Sequence, residues 1–239
     1  MSDLQKTMPP DKKEAALCLN CPAKSACFEK LTPDELQKVN DNKVHLYFKK
    51  GETIAKQGAF ITHMLYLKKG LVKVYNEVDY RSNLIYSVHR TGKMLGLASL
   101  FGGAHFQYSI AALEDSFICA IDRKVIEDLI HHNGLFASEV LQSVNVDLLQ
   151  TRQKMVSLTM KQLNGRMADV LIYLADKVYE EDTFALALSR KDLAEMSGMS
   201  TMSVVRTLQE FQKEKFISNS NHQVVIHNKK ALLEMSQTG

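Results

Sequence analysis

Two periodicities divide the chain. Between about residues 44 and 121, apolar side chains come in short runs: His45-Leu46-Tyr47-Phe48, Met64-Leu65-Tyr66-Leu67, Leu71-Val72-Lys73-Val74-Tyr75, Ile85-Tyr86-Ser87-Val88 and Phe117-Ile118-Cys119-Ala120-Ile121. Glycines at 51, 58, 70, 92, 96, 102 and 103 separate them. Short strands between glycine turns predict a compact antiparallel barrel or roll, and Lys69-Gly70 reads as a tight hairpin turn. Ahead of the strands, Thr32-Pro33-Asp34-Glu35 carries the signals of a helix start. Thr32 can cap free N–H groups, Pro33 suits the first helical position and Glu35 completes a capping box. Residues 1–30 are polar, contain Pro9-Pro10 and read as irregular.

From residue 133 the spacing turns helical. Ala137, Leu141, Val144, Leu148, Thr151, Met155 and Leu158 recur in alternating steps of four and three, which is a heptad seam and calls for a partner helix. The plain alternative is packing on the chain's own barrel. A helix about 40 Å long, at roughly 1.5 Å per residue, is awkward to bury on one small barrel, so a symmetric homodimer is expected. Residues 163–179 form an amphipathic helix with Leu163, Met167, Val170, Leu171, Leu174 and Val178 on one side. Phe184-Ala185-Leu186 reads as a small strand, and the chain is expected to end in a short hairpin. The boundaries are 1–30, 31–132, 133–160 and 161–239.

Within the last segment, Ser189-Arg190-Lys191-Asp192 is a second capping box. The helix it opens is brief, because Gly198 interrupts it. Another begins at Ser200 and runs through Val204, Arg206, Leu208 and Phe211. The small Ala194, four residues before Gly198, allows the two helices to approach. This is a helix-turn-helix pattern, whose second helix enters the major groove of double-stranded DNA; the bland counterpart is an ordinary αα-hairpin. Ile217, then Asn219-Ser220-Asn221-His222, then Val224-Val225-Ile226 reads as a β-hairpin wing. Val204, Leu208 and Phe211 point inward, which leaves Thr201, Met202, Val205 and Arg206 for DNA. Met and Val suit thymine methyls, and Arg206 can grip guanine bidentately, a contact worth roughly 1–3 kcal/mol of discrimination. Its alternative is a phosphate contact or an ion pair with Glu210. Ser189, Arg190, Lys191, Ser200 and Ser203 fall at the capped ends, where phosphates are anchored. In a dimer the two reading helices would stand about 34 Å apart, over a near-palindrome.

Composition narrows the class. The 239 residues are 45% hydrophobic and 24% charged, with net charge +3; these are values of an ordinary globular chain. No apolar run approaches the roughly 20 residues of a bilayer span. The first twenty residues lack the apolar stretch of a secretory signal, so a cytoplasmic protein without a membrane partner is expected. Residues 161–239 carry ten basic and ten acidic side chains. Nucleic-acid binding must therefore rest on local geometry rather than on net charge. No Gly-x-Ser-x-Gly, phosphate-binding loop or His-Glu-x-x-His spacing appears, and an enzyme is not expected. His131-His132, placed at a helix start, reads as solvated surface.

Barrel, long helix and winged helix-turn-helix, in this order, resemble the Crp/Fnr family of bacterial transcription regulators. The resemblance rests on Phe48-Lys49-Lys50-Gly51-Glu52, Gly92-Lys93-Met94-Leu95-Gly96-Leu97 and Leu188-Ser189-Arg190-Lys191-Asp192-Leu193-Ala194. It implies an α+β fold: a cyclic-nucleotide-binding-like β-roll (jelly roll), a dimerisation helix and a winged helix that acts with RNA polymerase. Cys18-x2-Cys21-x5-Cys27 together with Cys119 looks like the oxygen-sensing Fnr branch, in which four thiolates hold a [4Fe–4S] cluster. Zinc also accepts four thiolates, and a buried Cys119 can act simply as a small hydrophobe. That branch reads DNA with a Glu and a Ser ahead of the final Arg; Met202 and Val205 stand here instead. The cyclic-AMP branch holds its ligand with a Glu and an Arg. Gly96-Leu97-Ala98-Ser99-Leu100-Phe101 and Gln107-Tyr108-Ser109 supply neither, and a buried phosphate without a cation is costly. Cyclic AMP is therefore not expected. The rivals are a relative sensing haem or nitric oxide, with His45, His63, His89 or His105 as conceivable ligands, and an iron–sulfur redox protein.

Overall fold

The computed structural model describes residues 18–78, 83–103, 105–220 and 222–239. The chain divides into two units, one of Met1–Val74 with His89–Leu148, the other of Tyr75–Val88 with Leu149–Gly239.

The roll is two four-stranded sheets. The first has the order β1 (Lys43–Phe48), β8 (Ser116–Asp122), β3 (His63–Lys69), β6 (Lys93–Leu95); the second has β2 (Thr53–Ala55), β7 (Ser109–Ala112), β4 (Leu71–Glu77), β5 (Asn83–Arg90). Strand β8 pairs antiparallel on both sides and sets Cys119 between His45 and Tyr66. Its side chains alternate as strand geometry requires. Ile118 and Ala120 join Leu65, Leu67, Val72 and Ile110 between the sheets. Phe117, Cys119 and Ile121 lie in a second core. That core also takes residues of α1 (Ala26–Glu29), α2 (Pro33–Asp41), α4 (Arg123–His132) and the first turns of α5 (Gly134–Met160). A strand covered on both faces needs an unbroken apolar run, which is why the β8 and β3 stretches are so uniformly hydrophobic.

The Thr32 capping box forms: Thr32 N donates to Glu35 Oε2 at 2.8 Å, and Glu35 N donates to Thr32 Oγ1 at 3.3 Å. Several elements depart from expectation. The described part of the first thirty residues holds a 3-10 turn (Cys18–Asn20) and α1 instead of irregular chain. Strands β2, β6 and β7 and the helix α3 (Leu97–Phe101) had no periodicity to reveal them, since each is only three to five residues long. His131 and His132 close α4 instead of opening a helix.

In the second unit α6 (Leu163–Tyr173) continues into a π-helical stretch, Leu174–Tyr179. After it come β9 (Thr183–Ala185), α7 (Arg190–Ser197), α8 (Thr201–Lys213), β10 (Ile217–Ser220), β11 (Gln223–Ile226) and α9 (Lys229–Thr238). Met167, Leu171, Leu174, Val204, Leu208, Phe211 and Leu232 are buried in this unit. Leu163 is nearly half exposed, so the expected apolar face starts one turn later. The hairpin does not end the chain. Asn228 caps α9 by accepting from Ala231 N, and α9 lies along α6; with Leu232 the one buried side chain among its described residues, its sequence showed almost no apolar stripe. Among the described residues no helix is long and apolar enough to cross a membrane.

Candidate nucleic-acid interface and thiol cavity

The two helices of the reading element are defined by local hydrogen bonds. Ser189 Oγ accepts from Asp192 N at 3.1 Å, and Asp192 Oδ2 accepts from Ser189 N at 2.8 Å. Helix α7 stops at Gly198, in the left-handed region at φ +62°, and Met199 N returns to Ala194 O at 3.0 Å. Ser200 Oγ then accepts from Ser203 N at 3.0 Å and opens α8. Helix α8 turns Val204, Leu208 and Phe211 into the core. Met202 is 82% exposed, Thr201 is exposed, and Val205 is more than a third exposed. Arg206 meets Glu210 across a 3.3 Å pair on the open surface, an interaction of little worth there.

The wing is a three-stranded sheet in the order β10, β11, β9, with Ile217 opposite Ile226 and Val224 opposite Phe184. Its expected turn residue Asn221 lies outside the described residues. With its amide oxygen turned inward, Asn219 accepts from Arg190 Nη1 and Nη2 at 3.1 and 2.9 Å, tying the wing to the first turn of α7. Lys191 Nζ sits 3.7 Å from Glu195 Oε1. Sequence reading overlooked Glu195. It is buried, accepts from Asn83 Nδ2 at 3.3 Å, and its Oε2 has no hydrogen-bond partner among the described residues.

The seam of α5 is open in the single chain. Leu141, Leu148 and Met155 are 70%, 64% and 61% exposed, and Val144 and Thr151 are exposed with them. Leu158 is placed differently. A Cβ on Gly198 would come within 2.8 Å of Leu158 Cδ2, so this residue covers the turn between α7 and α8 rather than continuing the open stripe.

Cys18, Cys21 and Cys119 line one small cavity of about 30 Å³ with Tyr66, Lys24, Lys43 and Lys68. Lys43 Nζ donates to Cys18 Sγ at 3.0 Å. Burial pushes the Cys119 thiol up to about 11, against the opposing pull of Lys43 and Lys68. Cys27 does not line this cavity. It is buried in the adjoining core, where burial and then the Glu139 carboxylate raise its thiol. The sequence brings the four cysteines together as a set; the fold gathers three. Among the described residues no group of three or more His, Cys, Asp or Glu side chains is arranged to hold a metal ion.

In the roll, the stretch from Gly96 to Ser109 is tied up by internal bonds. Gly96 N donates to Tyr108 OH at 3.1 Å, Gln107 N to Ser99 Oγ at 3.1 Å, and Gln57 N to Ser109 Oγ at 2.9 Å. Arg123 spends its guanidinium on Leu100 O and Glu127.

Residues 45–133 match the cyclic nucleotide-binding domain family, and residues 165–235 match the Crp-like helix-turn-helix domain family. The chain is similar to the "Fumarate and nitrate reduction regulatory protein" of Vibrio cholerae, 21% identical over 92% of this chain and 90% of the relative. The protein of that name from Escherichia coli K12 is 22% identical over 85% and 82%. Among solved structures, FixK2 from Bradyrhizobium japonicum superposes with TM-score 0.76 at 20% identity, covering 82% of this chain and 98% of that one. A mutant of CooA from Carboxydothermus hydrogenoformans gives 0.69 at 18% identity, over 82% and 88%. With a nucleotide-binding-type roll, a long helix and a capped helix-turn-helix in series, this chain is a transcription regulator of the Crp/Fnr type.

Proposed function

We propose that the protein acts in the cytosol as a homodimer joined through the Leu141–Met155 stripe of α5, and reads a near-palindromic duplex with Met202, Val205 and Arg206. Support comes from one observation above all: α8 is capped by Ser200, buried on the Val204-Leu208-Phe211 side and open on the other. Arg190, Lys191 and the hydroxyls of Ser189, Thr201 and Ser203 stand at the first turns of the two helices, where duplex phosphates are held. RNA polymerase is the partner that such a regulator serves. Arg206→Ala should weaken binding to the selected site at least tenfold while leaving binding to random competitor nearly unchanged. Equal loss on both in anisotropy titrations would demote Arg206 to a phosphate contact.

The signal enters, on this reading, at the thiol cavity and not as a cyclic nucleotide. A [4Fe–4S] cluster fits the residues in part. Cys18, Cys21 and Cys119 face one space, and the three lysines beside them suit an anionic group. A cluster would supply oxygen-labile redox chemistry there. Cys27, buried outside that space, would have to join them, and its position favours a second reading in which three thiols act without it. Anaerobic purification separates the two. Iron and sulfide that are lost in Cys27→Ser and bleach in air support the four-thiol site; iron-free protein, or zinc retained in Cys27→Ser, supports the three-thiol one.

A further inference from the structure

The second unit holds a cavity of about 600 Å³ walled by α5, α6, α7, α9 and β5, within the size range of small-molecule sites. Most of its wall is apolar, with Leu149, Val156, Val170, Ile172 and Leu233 and the ring of Tyr86. At 100° per residue, Gln150, Gln153 and Ser157 project from α5 on the side away from Leu148 and Met155. A partner helix on the seam would leave that side of the cavity uncovered, while Arg152 and Val156 border the seam.

One charge in this wall is poorly served. Lys154 is half-buried, and its ammonium donates to Met196 O, in the last turn of α7. An ammonium has three donors. The nearby Asp169 carboxylate attracts it through space, but among the described residues the two form no hydrogen bond or close ion pair, and that carboxylate is shared with other donors. Asp169 accepts from Ser157 Oγ at 2.5 Å, from Lys161 Nζ at 2.9 Å and from Ser236 Oγ at 2.5 Å. Lys154 makes no ion pair among the described residues. A partly buried cation with one hydrogen-bonded carbonyl is poorly served, and burial, against the opposing pull of Asp169, brings its pKa down to about 8.

We infer that this cavity is a binding site for a small amphipathic monoanion, a carboxylate on an apolar body, with Lys154 as its counter-charge. The body would replace water along the apolar wall while the carboxylate takes the two unspent donors of Lys154. Drawing Lys154 off Met196 O would loosen the end of α7, two residues before the Gly198 turn. Ligand and DNA affinity would then be linked through the reading element.

Calorimetry on the full chain tests this, using 4-phenylbutyrate and its neutral twin 4-phenylbutanamide. The acid should bind once per chain and at least tenfold more tightly than the amide. Lys154→Met should erase that difference. Val156→Trp, at a half-exposed position where folding is not at risk, should block both ligands and decides the matter if Lys154→Met is unstable. No heat from the acid up to about 5 mM, equal affinity for acid and amide, or acid binding that survives Val156→Trp would overturn the site. Binding is read here without DNA, so a failure of the regulator reading would leave this result standing.

Discussion

The reading element and the thiol cavity are assembled from opposite kinds of contact. Between Ser189 and Ser203 each helix boundary is set by a side chain bonding three residues along the chain, or by a carbonyl four or five residues back. The cavity instead draws Cys18 and Cys21 against Cys119, roughly a hundred residues away, with Tyr66 and Lys68 from a third stretch. Local bonds form in an isolated segment. Contacts of long sequence separation exist only once the sheets and helices around them have packed. The reading element should accordingly tolerate single changes in graded steps, whereas the sensor side should respond to its packing as a whole.

Two glycines make the largest contrast. Gly70, at φ +107°, turns β3 into β4, and a Cβ there would meet Asp115 O and Ser116 Cα at 2.8 Å. Both atoms are backbone and cannot step aside. Gly70→Ala should cost about 3 kcal/mol or more, combining a left-handed penalty with the collision. Gly198, at φ +62°, meets only the far end of Leu158 and a more distant Arg166 atom. A leucine methyl can rotate away, so Gly198→Ala should cost about 1–2 kcal/mol. Urea unfolding followed by probes in each unit checks the pair; equal costs would erase the distinction.

The seam sharpens the comparison from another side. Leu141→Lys with Leu148→Lys changes residues exposed in the single chain, so the stability of each unit, apart from what association adds, should move by less than about 0.5 kcal/mol. Sedimentation should nevertheless show a monomer, and affinity for a two-half-site duplex should fall at least a hundredfold. An unaltered dimer would place the interface elsewhere. Ser189→Ala should act more narrowly, costing about 1 kcal/mol through the lost cap and leaving the thiol cavity untouched, as thiol-labelling rates would report.

The same division explains what was legible in the residues alone. The capping boxes at Thr32 and Ser189, the stop at Gly198 and the strand-like run Phe117–Ile121 are statements about neighbours in sequence, and each appears as read. So does the inward set of Val204, Leu208 and Phe211. Short strands such as β6 and β7 have no period to display, and α9 buries too little to show a stripe. Cys27 was grouped with its sequence neighbours, yet α1 turns it into the core that also holds the paired rings of Phe28 and Phe136. Lys154 gave no signal because its lack of a close ion pair depends on how Asp169 is shared among Ser157, Lys161 and Ser236, residues from α5, α9 and the link before α6.

The partial burial of Lys154 yields the smallest effect and the most specific to one unit. Burial disfavours the Lys154 ammonium, lowering its pKa from an ordinary 10.5 to about 8. Between those values the unfolded chain holds a proton that the folded chain has released, so folding gains as pH rises from 8 towards 10.5. Lys229, held above the usual lysine range by hydrogen bonds to Asp176 and then Asp182, contributes the opposite slope, but only above its unfolded value. The cysteines lie at 18, 21, 27 and 119, outside the second unit, so their ionisation does not enter it. From pH 8 to 10, urea unfolding of that unit should therefore strengthen by up to about 1 kcal/mol, and Lys154→Met should remove the rise. Saturating 4-phenylbutyrate should flatten it too, because a carboxylate beside the ammonium restores the ordinary pKa. A slope that persists in Lys154→Met would assign it to another group and leave the cavity without its counter-charge.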